Sequence, residues 1–326
     1  MDFFETSLVG AILGLLIGLA LLIFGAERFT HQAEKIGRTL GLPEFVIGVV
    51  IISMGTSLPE LVASIFAVLK DSPTIVAGSV VGSNVTNTFF ILGISFLFLK
   101  KSELKVNLID IDLPFLLAAT LLFVFMCMDT DYNYIDGALS VIVAILYFVT
   151  LVMRDEELVE NESDEPEMEN DVKHGIGPLT YVVIPVACVM IFFGGEWTVD
   201  AINNLSRILN LDQSAIAGTA IAFAGSLPEL FICARFAAQG KIEIALGNVV
   251  GASIINALFV MGVCSFFGPS GHLKVSADTI NNGLPMMMAA AVIFIFVTID
   301  RKVSKTEGGI FLIFYVFYLG RVLGVM

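Results

Sequence analysis

The chain of 326 residues has little charge: only 15% of its residues are charged, 57% are hydrophobic, and the mean hydropathy is +0.91. This composition argues against a soluble domain and is typical of a protein with many membrane spans. Histidine is scarce, and no cysteine belongs to a Cys-x-x-Cys pair, so a histidine or cysteine metal site and a disulfide framework are not expected. The cysteines are interpreted as small core residues within the spans: Cys127, Cys188, Cys233 and Cys264.

Long apolar runs take up most of the chain. A membrane span needs about 20 mostly apolar residues, and ten segments qualify: 7–26, 43–69, 74–98, 108–128, 134–153, 178–195, 213–238, 243–267, 282–299 and 308–324. They predict an all-α polytopic membrane protein with ten transmembrane helices. The first residues carry no basic group, so the first run is expected to be a retained helix rather than a signal peptide.

Basic residues divide unequally between the two sets of loops that ten spans create. One set carries thirteen, and the other carries four: Lys70, Arg207, Lys274 and Arg321. The positive-inside rule then places the first set in the cytoplasm and both termini outside the cell membrane.

An acidic segment separates the two halves of the chain. Residues 154–173 contain ten acidic and two basic residues and almost no apolar ones, which is typical of a solvated, disordered linker. We therefore predict a first repeat over 1–153, a cytoplasmic linker over 154–175 and a second repeat over 176–326. A calcium-sensing or regulatory role is the alternative, but the segment lacks the Asp-x-Asp-x-Asp-Gly spacing of a calcium loop.

The second half repeats the first at one constant offset, which pairs position 57 with position 226. The phrase SLPEL occurs at 57–61 and again at 226–230, and matches continue without a gap from 24 to 93. Matched pairs include Gly25/Gly194, Gly78/Gly247, Gly82/Gly251, Asn87/Asn256 and Gly93/Gly262. Each half has five predicted spans, an odd number, so the halves are expected to be inverted repeats, the architecture of many secondary transporters.

Each copy of SLPEL places a proline and a carboxylate inside an apolar span. Proline removes one backbone donor and interrupts the helical ladder, and the freed carbonyls must find another partner in a membrane. A glutamate there is costly unless something pairs with it. Carbonyl, hydroxyl and carboxylate oxygens at one depth suit Ca²⁺ or Na⁺. Glu60 and Glu229 are therefore candidate cation ligands. A tolerated kink would explain Pro59 if it stood alone, but not a proline beside a glutamate with a second copy in the other half.

The spans that follow carry glycines and amides in the same register. Gly78 and Gly82 form a small-xxx-small face for close helix approach. Asn87 and Asn256 are predicted to coordinate an ion, whereas Ser79 and Asn84 are interpreted as polar contacts between helices. A second repeated carboxylate pair lies at the ends of spans one and six and is expected to be solvated or paired with arginine: Glu27 with Arg38, and Glu196 with Arg207.

With its motifs GTSLPE at 55–60 and GSVVGSN at 78–84, the chain resembles the cation/Ca²⁺ exchanger superfamily, in particular its prokaryotic Na⁺/Ca²⁺ exchanger-like members. The resemblance implies a central Ca²⁺ site at Glu60 and Glu229, with backbone oxygens near Thr56 and Gly225. It also implies flanking Na⁺ sites and alternating access by sliding of the first and sixth helices. The Na⁺ ligands would be Ser57, Ser83, Asn87, Ser226 and Asn256.

The second repeat departs from the family pattern. It has Gly225 where the pattern has threonine, Ala252 where the first repeat has Ser83, and Asn256 where many relatives have aspartate. A cation site that loses oxygen ligands should bind more weakly. Restoring the hydroxyls with Gly225→Thr and Ala252→Ser is expected to strengthen Na⁺ dependence.

The sequence therefore predicts a Ca²⁺/Na⁺ antiporter, with a Ca²⁺/H⁺ antiporter and an uncoupled Ca²⁺ channel as alternatives. No nucleophile–base pair points to an enzyme. Neither a cofactor nor a nucleic-acid partner is expected, the lipid bilayer is the expected surrounding, and a monomer fits the pattern.

Overall fold

A computed structural model describes residues 7–39, 55, 57–99, 104, 112–159, 180–240 and 242–325. Almost all of them are helical. The helices are α1 (Leu8–Thr39), α2 (Leu58–Leu69), α3 (Thr74–Leu97), α4 (Asp112–Cys127), α5 (Tyr134–Val159), α6 (Thr180–Leu209), α7 (213–225), α8 (Leu227–Gln239), α9 (242–265), α10 (Thr279–Thr298) and α11 (Lys305–Val322). A short 3₁₀ turn follows α9 at Pro269–Gly271.

Wider π-type segments interrupt some of the described helices. These segments are Thr86–Ile91 in α3, Ala217–Ile221 in α7, Ile255–Val260 in α9 and Thr279–Gly283 at the start of α10. The segments in α3 and α9 begin and end at positions that the repeat offset pairs with each other. The offset found in the sequence therefore also relates local backbone geometry.

The outer surface is apolar, as a lipid-facing surface must be. Within the described part of the chain, five helices are long and apolar enough to cross a membrane: α1, α3, α6, α9 and α10. Many large apolar side chains are exposed on helices that surround the buried ones, such as Leu16, Ile142, Val186 and Ile313. A soluble protein rarely exposes apolar surface on this scale. The chain is a multi-pass membrane protein.

Several helices extend beyond the predicted spans. Helix α1 continues past 26 as far as Thr39, and α6 continues past 195 as far as Leu209. Hydropathy identifies the apolar part of a helix only, whereas Ala, Glu, Lys and Gln continue the helix into polar surroundings. Helix α5 likewise reaches Val159, so positions 154–159 of the predicted linker are helical. Residues 160–175 of the linker, and 43–54 of the second span, lie outside the described residues.

A small sheet is the exception to the all-α prediction. Strand β1 (Asp131–Asn133) pairs antiparallel with β2 (His272–Lys274), and Tyr132 lies opposite Leu273. Both strands are short loop segments that show no period in the sequence. A side-chain hydrogen bond of 2.7 Å joins His272 Nδ1 and Asp131 Oδ2 across the two strands.

Helices α1 and α6 make the most extensive helix–helix contact among the described elements. Their backbones approach closely at glycines: a Cβ on Gly18 would lie 2.8 Å from Thr198 N, and one on Gly194 would lie 2.5 Å from Leu22 N. Gly25 meets Ile191 in the same way. The residue numbers rise on one helix as they fall on the other, so α1 and α6 run antiparallel.

Connecting segments touch in pairs. The α2–α3 turn contacts α6, because Lys70 Nζ lies 2.7 Å from Asp200 Oδ1 and Ser72 Oγ donates to Asn203 Oδ1 at 3.1 Å. At the opposite ends of the helices, Leu104 N donates to Arg301 O at 2.9 Å. The start of α6 is joined to α1 by Thr180 Oγ1, which donates to Gln32 Oε1 at 2.9 Å.

The cysteines are all free thiols. Cys127, Cys233 and Cys264 are buried core residues, as predicted, but Cys188 is exposed on α6. An apolar run contains both buried and lipid-facing positions, and the run alone does not separate them.

Candidate cation site

Both copies of the SLPEL phrase begin a helix within the protein. Helix α2 starts after Ser57 (φ −85°, ψ 0°) and α8 after Ser226 (φ −86°, ψ 2°), so the two copies share one backbone geometry. Each proline lies in the first turn, where its missing N–H is tolerated. The carbonyls four residues earlier, of Gly55 and Ala224, are denied their usual helical donor.

Glu60 and Glu229 occupy the first turns of these helices and are buried, with exposed fractions of 3% and 4%. The N-terminus of a helix carries a partial positive charge, which favours a carboxylate in the first turn. This effect falls well short of the cost of moving an ionised carboxylate out of water. Both side chains therefore need a further positive partner when ionised.

The carboxylate of Glu60 reaches into the other half of the chain. Its Oε1 occupies the space where a side chain on Gly225 would begin, and its Cδ lies 3.0 Å from that Cβ position. Gly225 is the last residue of α7, directly before the second SLPEL phrase. The first carboxylate thus lies against the backbone that leads to the second.

The two segments that contain Asn87 and Asn256, which we call the amide segments, each pack against the opposite half. Helix α2, with Glu60, packs against the π segment Ile255–Val260, which contains Asn256. Helix α8, with Glu229, packs against Thr86–Ile91, which contains Asn87. Each carboxylate helix therefore contacts the amide segment of the opposite half. Segments of π helix are frequent at functional sites, where the extra residue re-aims side chains.

Oxygen atoms without hydrogen-bond partners collect in these elements. Within the described part of the chain, partners are lacking for Glu60 Oε2 and for the buried side-chain oxygens of Ser57, Ser64, Ser79, Ser83, Asn87 and Asn256. A buried polar group left unpaired costs about 1–3 kcal/mol, and most buried polar groups are paired. Such a set of oxygens is the donor set that hard cations such as Ca²⁺ use.

The glycine face of α3 makes the close contact that the sequence predicts. A Cβ on Gly78 would lie 2.5 Å from Ser214 O, and one on Gly82 would overlap the backbone of Gly218. This contact holds α3 against α7. In the second half, Gly251 has only Tyr147 Oη near its Cβ position, at 4.0 Å.

Two further predicted ligands remain to be placed. Ser226 is buried at the start of α8, and Thr56 lies outside the described residues.

The second repeated carboxylate pair lies outside this site. Glu196 pairs with Lys70, at 3.5 Å, and not with Arg207. Of the two expectations for Glu196, solvation or pairing with arginine, the pairing with Arg207 does not occur, because α6 is continuous and places residues 196 and 207 about 16 Å apart along its axis. The Glu196 side chain is instead partly exposed, with 35% of its surface accessible. Residues 27 and 38 have the same separation on α1, and Glu27 is exposed.

The structure distinguishes the two polar positions that the sequence predicts to be interhelical contacts, Ser79 and Asn84. Asn84 does bridge helices, since its Nδ2 lies 3.9 Å from Met287 Sδ on α10. Ser79 makes no such contact within the described part of the chain. Ser64 was missed in the sequence, although its position four residues after Glu60 places it on the same helix face.

The described residues contain no cluster of three or more His, Cys, Asp or Glu side chains suited to a metal. The buried polar set instead joins two carboxylates with neutral amide and hydroxyl oxygens. Fold and site together define a multi-pass membrane protein with a set of buried polar oxygen atoms on elements of both halves of the chain.

The sequence matches the family model described as sodium/calcium exchanger protein over residues 10–154 and 179–324, two segments whose first positions correspond at the repeat offset. The chain belongs to this family, which confirms the resemblance stated from the motifs.

Relatives match along nearly their whole length. The chain is 28% identical to the sodium/calcium exchanger MaX1 of Methanosarcina acetivorans, over 94% of this chain and 96% of the relative. It is 26% identical to the inner membrane protein YrbG of Escherichia coli, over 90% of each chain. It is 28% identical to the putative antiporter CaxA of Alkalimonas amylolytica, over 93% and 95%.

The fold is also found in solved structures. The structure is similar to that of the sodium-calcium exchanger NCX_Mj soaked with 2.5 mM Na⁺ and 0.1 mM Sr²⁺, with a TM-score of 0.61 and 26% identity over 95% of this chain and 99% of the other.

Proposed function

We propose that the protein is a secondary active antiporter that exchanges Ca²⁺ for Na⁺ by alternating access. The observation that carries the proposal is the placement of Glu60: it is buried, its Oε2 has no hydrogen-bond partner within the described part of the chain, and it lies against Gly225 of the other half. A carboxylate in this position is stable when a cation or a proton is bound. Release and rebinding of that cation are the elementary steps of transport.

Ca²⁺ takes six to eight oxygen ligands. We assign the two charged ligands to Glu60 and Glu229 and neutral oxygens to the amides of Asn87 and Asn256, with backbone oxygens near Thr56 and Gly225. Ser57, Ser83 and Ser226 are the proposed Na⁺ ligands beside this centre. The crossed packing of each carboxylate helix on the opposite amide segment supports one shared site.

Inverted repeats and alternating access have structural support in α1 and α6. These helices correspond at the repeat offset and run antiparallel, as an inversion requires. Glycines let the two backbones approach closely, which holds α1 and α6 together as a pair. We propose that the α1–α6 pair moves against the remaining helices.

The contacts between connecting segments support the division of the loops into two sides, and the excess of basic residues on one side supplies the orientation. Segments assigned to one side of the membrane touch segments of the same side in the pairs described above: 70–72 with α6 near 200, 131–133 with 272–274, and 104 with 301. We propose that both termini are extracellular and that residues 160–175 are cytoplasmic.

A Ca²⁺/H⁺ antiporter is the second candidate, because the second half has lost hydroxyls. Ala252 replaces the serine of the first half, and the Glu60 carboxylate fills the space beside Gly225. Fewer hydroxyl oxygens remain there for a Na⁺ ion, whereas a buried glutamate can exchange Ca²⁺ for a proton.

Purified protein in liposomes would separate these functions. ⁴⁵Ca²⁺ uptake driven by an outward Na⁺ gradient supports the Na⁺ antiporter, and uptake driven only by a pH gradient supports the H⁺ antiporter. Uptake without any counter-flux would refute both. Glu60→Gln and Glu229→Gln should each abolish uptake, whereas Glu27→Gln, at an exposed carboxylate on α1, is the matched control and should retain it.

A further inference from the structure

The α2–α3 hairpin contains buried hydroxyls beyond the proposed ligand set. Ser64 and Ser79 have exposed fractions of 1% each, and neither Oγ has a hydrogen-bond partner within the described part of the chain. Ser64 lies on the buried face of α2 one turn from Glu60, and Ser79 lies on α3 one turn from Ser83. Together with Ser83, which is already a proposed Na⁺ ligand, Ser64 and Ser79 form what we call the hairpin hydroxyl cluster.

The register of the hairpin brings these side chains to matching depths. Helix α2 ends at Leu69 and α3 begins at Thr74, so antiparallel packing places Ser64 opposite Ser79 and Glu60 opposite Ser83. The second half shows this register directly. Cys233 and Asn248, which the repeat offset pairs with Ser64 and Ser79, are in contact, with 3.6 Å between Cys233 Sγ and Asn248 Nδ2.

The α2–α3 and α8–α9 hairpins differ in the polar groups that they carry at these positions. In the second half the Cys233 thiol also contacts the Ala245 carbonyl, at 3.6 Å, and Ala252 lies opposite Glu229. The Cys233 thiol and the Asn248 amide are thus paired with each other. The stretch 230–252 contains neither serine nor threonine, and the buried Ser253, whose Oγ has no partner within the described residues, corresponds at the repeat offset to Asn84 and not to a member of the first hairpin's serine set. In the first half, three unpaired hydroxyls lead from Glu60 towards the turn at 70–73.

We propose that the hairpin hydroxyl cluster is an auxiliary position for a hard cation, through which the ion reaches Glu60 from the side of the 70–73 turn. This inference rests on the proposed function. In the proposed orientation this side is extracellular. The physical reason is that unpaired buried hydroxyls need water or a cation, and Glu60 supplies the charge that attracts one.

Thiol accessibility tests the route independently of transport. The variant is Ser64→Cys, because cysteine is close in size to serine. Cys233 occupies the equivalent position in the second half and is the matched control in the same molecule. The probe is 2-aminoethyl methanethiosulfonate, a small cationic reagent, and peptide mapping by mass spectrometry assigns each label. We expect position 64 to be labelled at least tenfold faster than Cys233, and Ca²⁺ to slow the labelling several-fold. Labelling no faster than at Cys233, or insensitive to Ca²⁺, would overturn the proposal.

Transport gives a second readout. Ser64→Ala and Ser79→Ala should each raise the KM for Ca²⁺ uptake several-fold without lowering the maximal rate. Ser95→Ala is the matched control, because Ser95 is also buried and unpaired on α3 but lies about three turns away from Ser83. Unchanged KM in both cluster variants would refute the auxiliary position. Absence of Ca²⁺ transport by the unmodified protein would refute the proposed function instead, and the labelling result would still report on the route.

Discussion

Gly225 offers a direct test of the Glu60 carboxylate as a ligand. A Cβ at residue 225 would overlap Glu60 Oε1 and lie 3.0 Å from its Cδ, whereas ordinary contacts begin at 3.4 Å. In Gly225→Ala the carboxylate carbon must therefore retreat from 3.0 Å to at least 3.4 Å, and the overlapping oxygen must move further.

This displacement is large on the scale of calcium coordination. Ca²⁺–oxygen distances span about 2.3–2.6 Å, so a carboxylate oxygen that moves by more than the width of this range no longer coordinates at full strength. We expect the KM for ⁴⁵Ca²⁺ uptake by proteoliposomes to rise at least tenfold, which corresponds to about 1.4 kcal/mol. Helix propensity alone would make alanine the more stable residue, by about 1 kcal/mol.

The control is Gly309→Ala on α11, where a Cβ would meet nothing within 4 Å. It should leave the KM unchanged. Shortening the displaced side chain with Glu60→Asp in the Gly225→Ala background should recover part of the lost affinity, because the two positions are in contact and their effects are coupled. Wild-type KM in Gly225→Ala would refute the assignment of Glu60 as a Ca²⁺ ligand placed against Gly225.

Three further predictions concern packing and coupling. Gly82→Ala should lower the free energy of unfolding by about 1–3 kcal/mol, because its Cβ would overlap the backbone of Gly218; an unchanged thermal midpoint in detergent would contradict this contact. Lys70→Met removes partly exposed ion pairs with Glu196 and Asp200 and should cost less than about 1 kcal/mol, so a thermal midpoint lowered by more than about 4 °C would contradict a surface role. Ala252→Ser should increase the Na⁺ dependence of Ca²⁺ uptake, by returning a hydroxyl to a buried position opposite Glu229, and identical Na⁺ dependence would count against the missing hydroxyl as the cause.

The Ala252→Ser variant is a cleaner test than Gly225→Thr. In the sequence, both changes restore a lost hydroxyl. The structure shows that threonine at 225 would first have to displace the Glu60 carboxylate. A contact between residues in different halves of the chain cannot be predicted from either motif alone.

The repeat is the part of the structure most accessible from sequence. Matched glycine, proline, glutamate and asparagine residues predict a shared geometry, and the first-turn positions of Glu60 and Glu229 and the paired π segments agree with it. The glycine face of Gly78 and Gly82 is also predictable, since small residues at four-residue spacing permit backbone contact.

Helix ends and polar pairings are less predictable. The predicted spans stop where α1 and α6 become polar, although the helices continue. For that reason the pairing of Glu196 with Lys70 was not predicted, and Arg207 was considered as its partner. The β1–β2 pairing and the ion pairs of Lys70 depend on how loops meet after folding. Tertiary contacts of this kind have no periodic signal in the sequence.

The crossed packing of α2 and α8 has a consequence for how such a chain can evolve. Each of these two helices packs against residues encoded in the other half, so a change in one half alters the surroundings of a helix in the other. Gly225 and Glu60 form one such pair. The duplicated halves are therefore not free to diverge separately: a hydroxyl lost from one copy changes which side chains the other copy can accept.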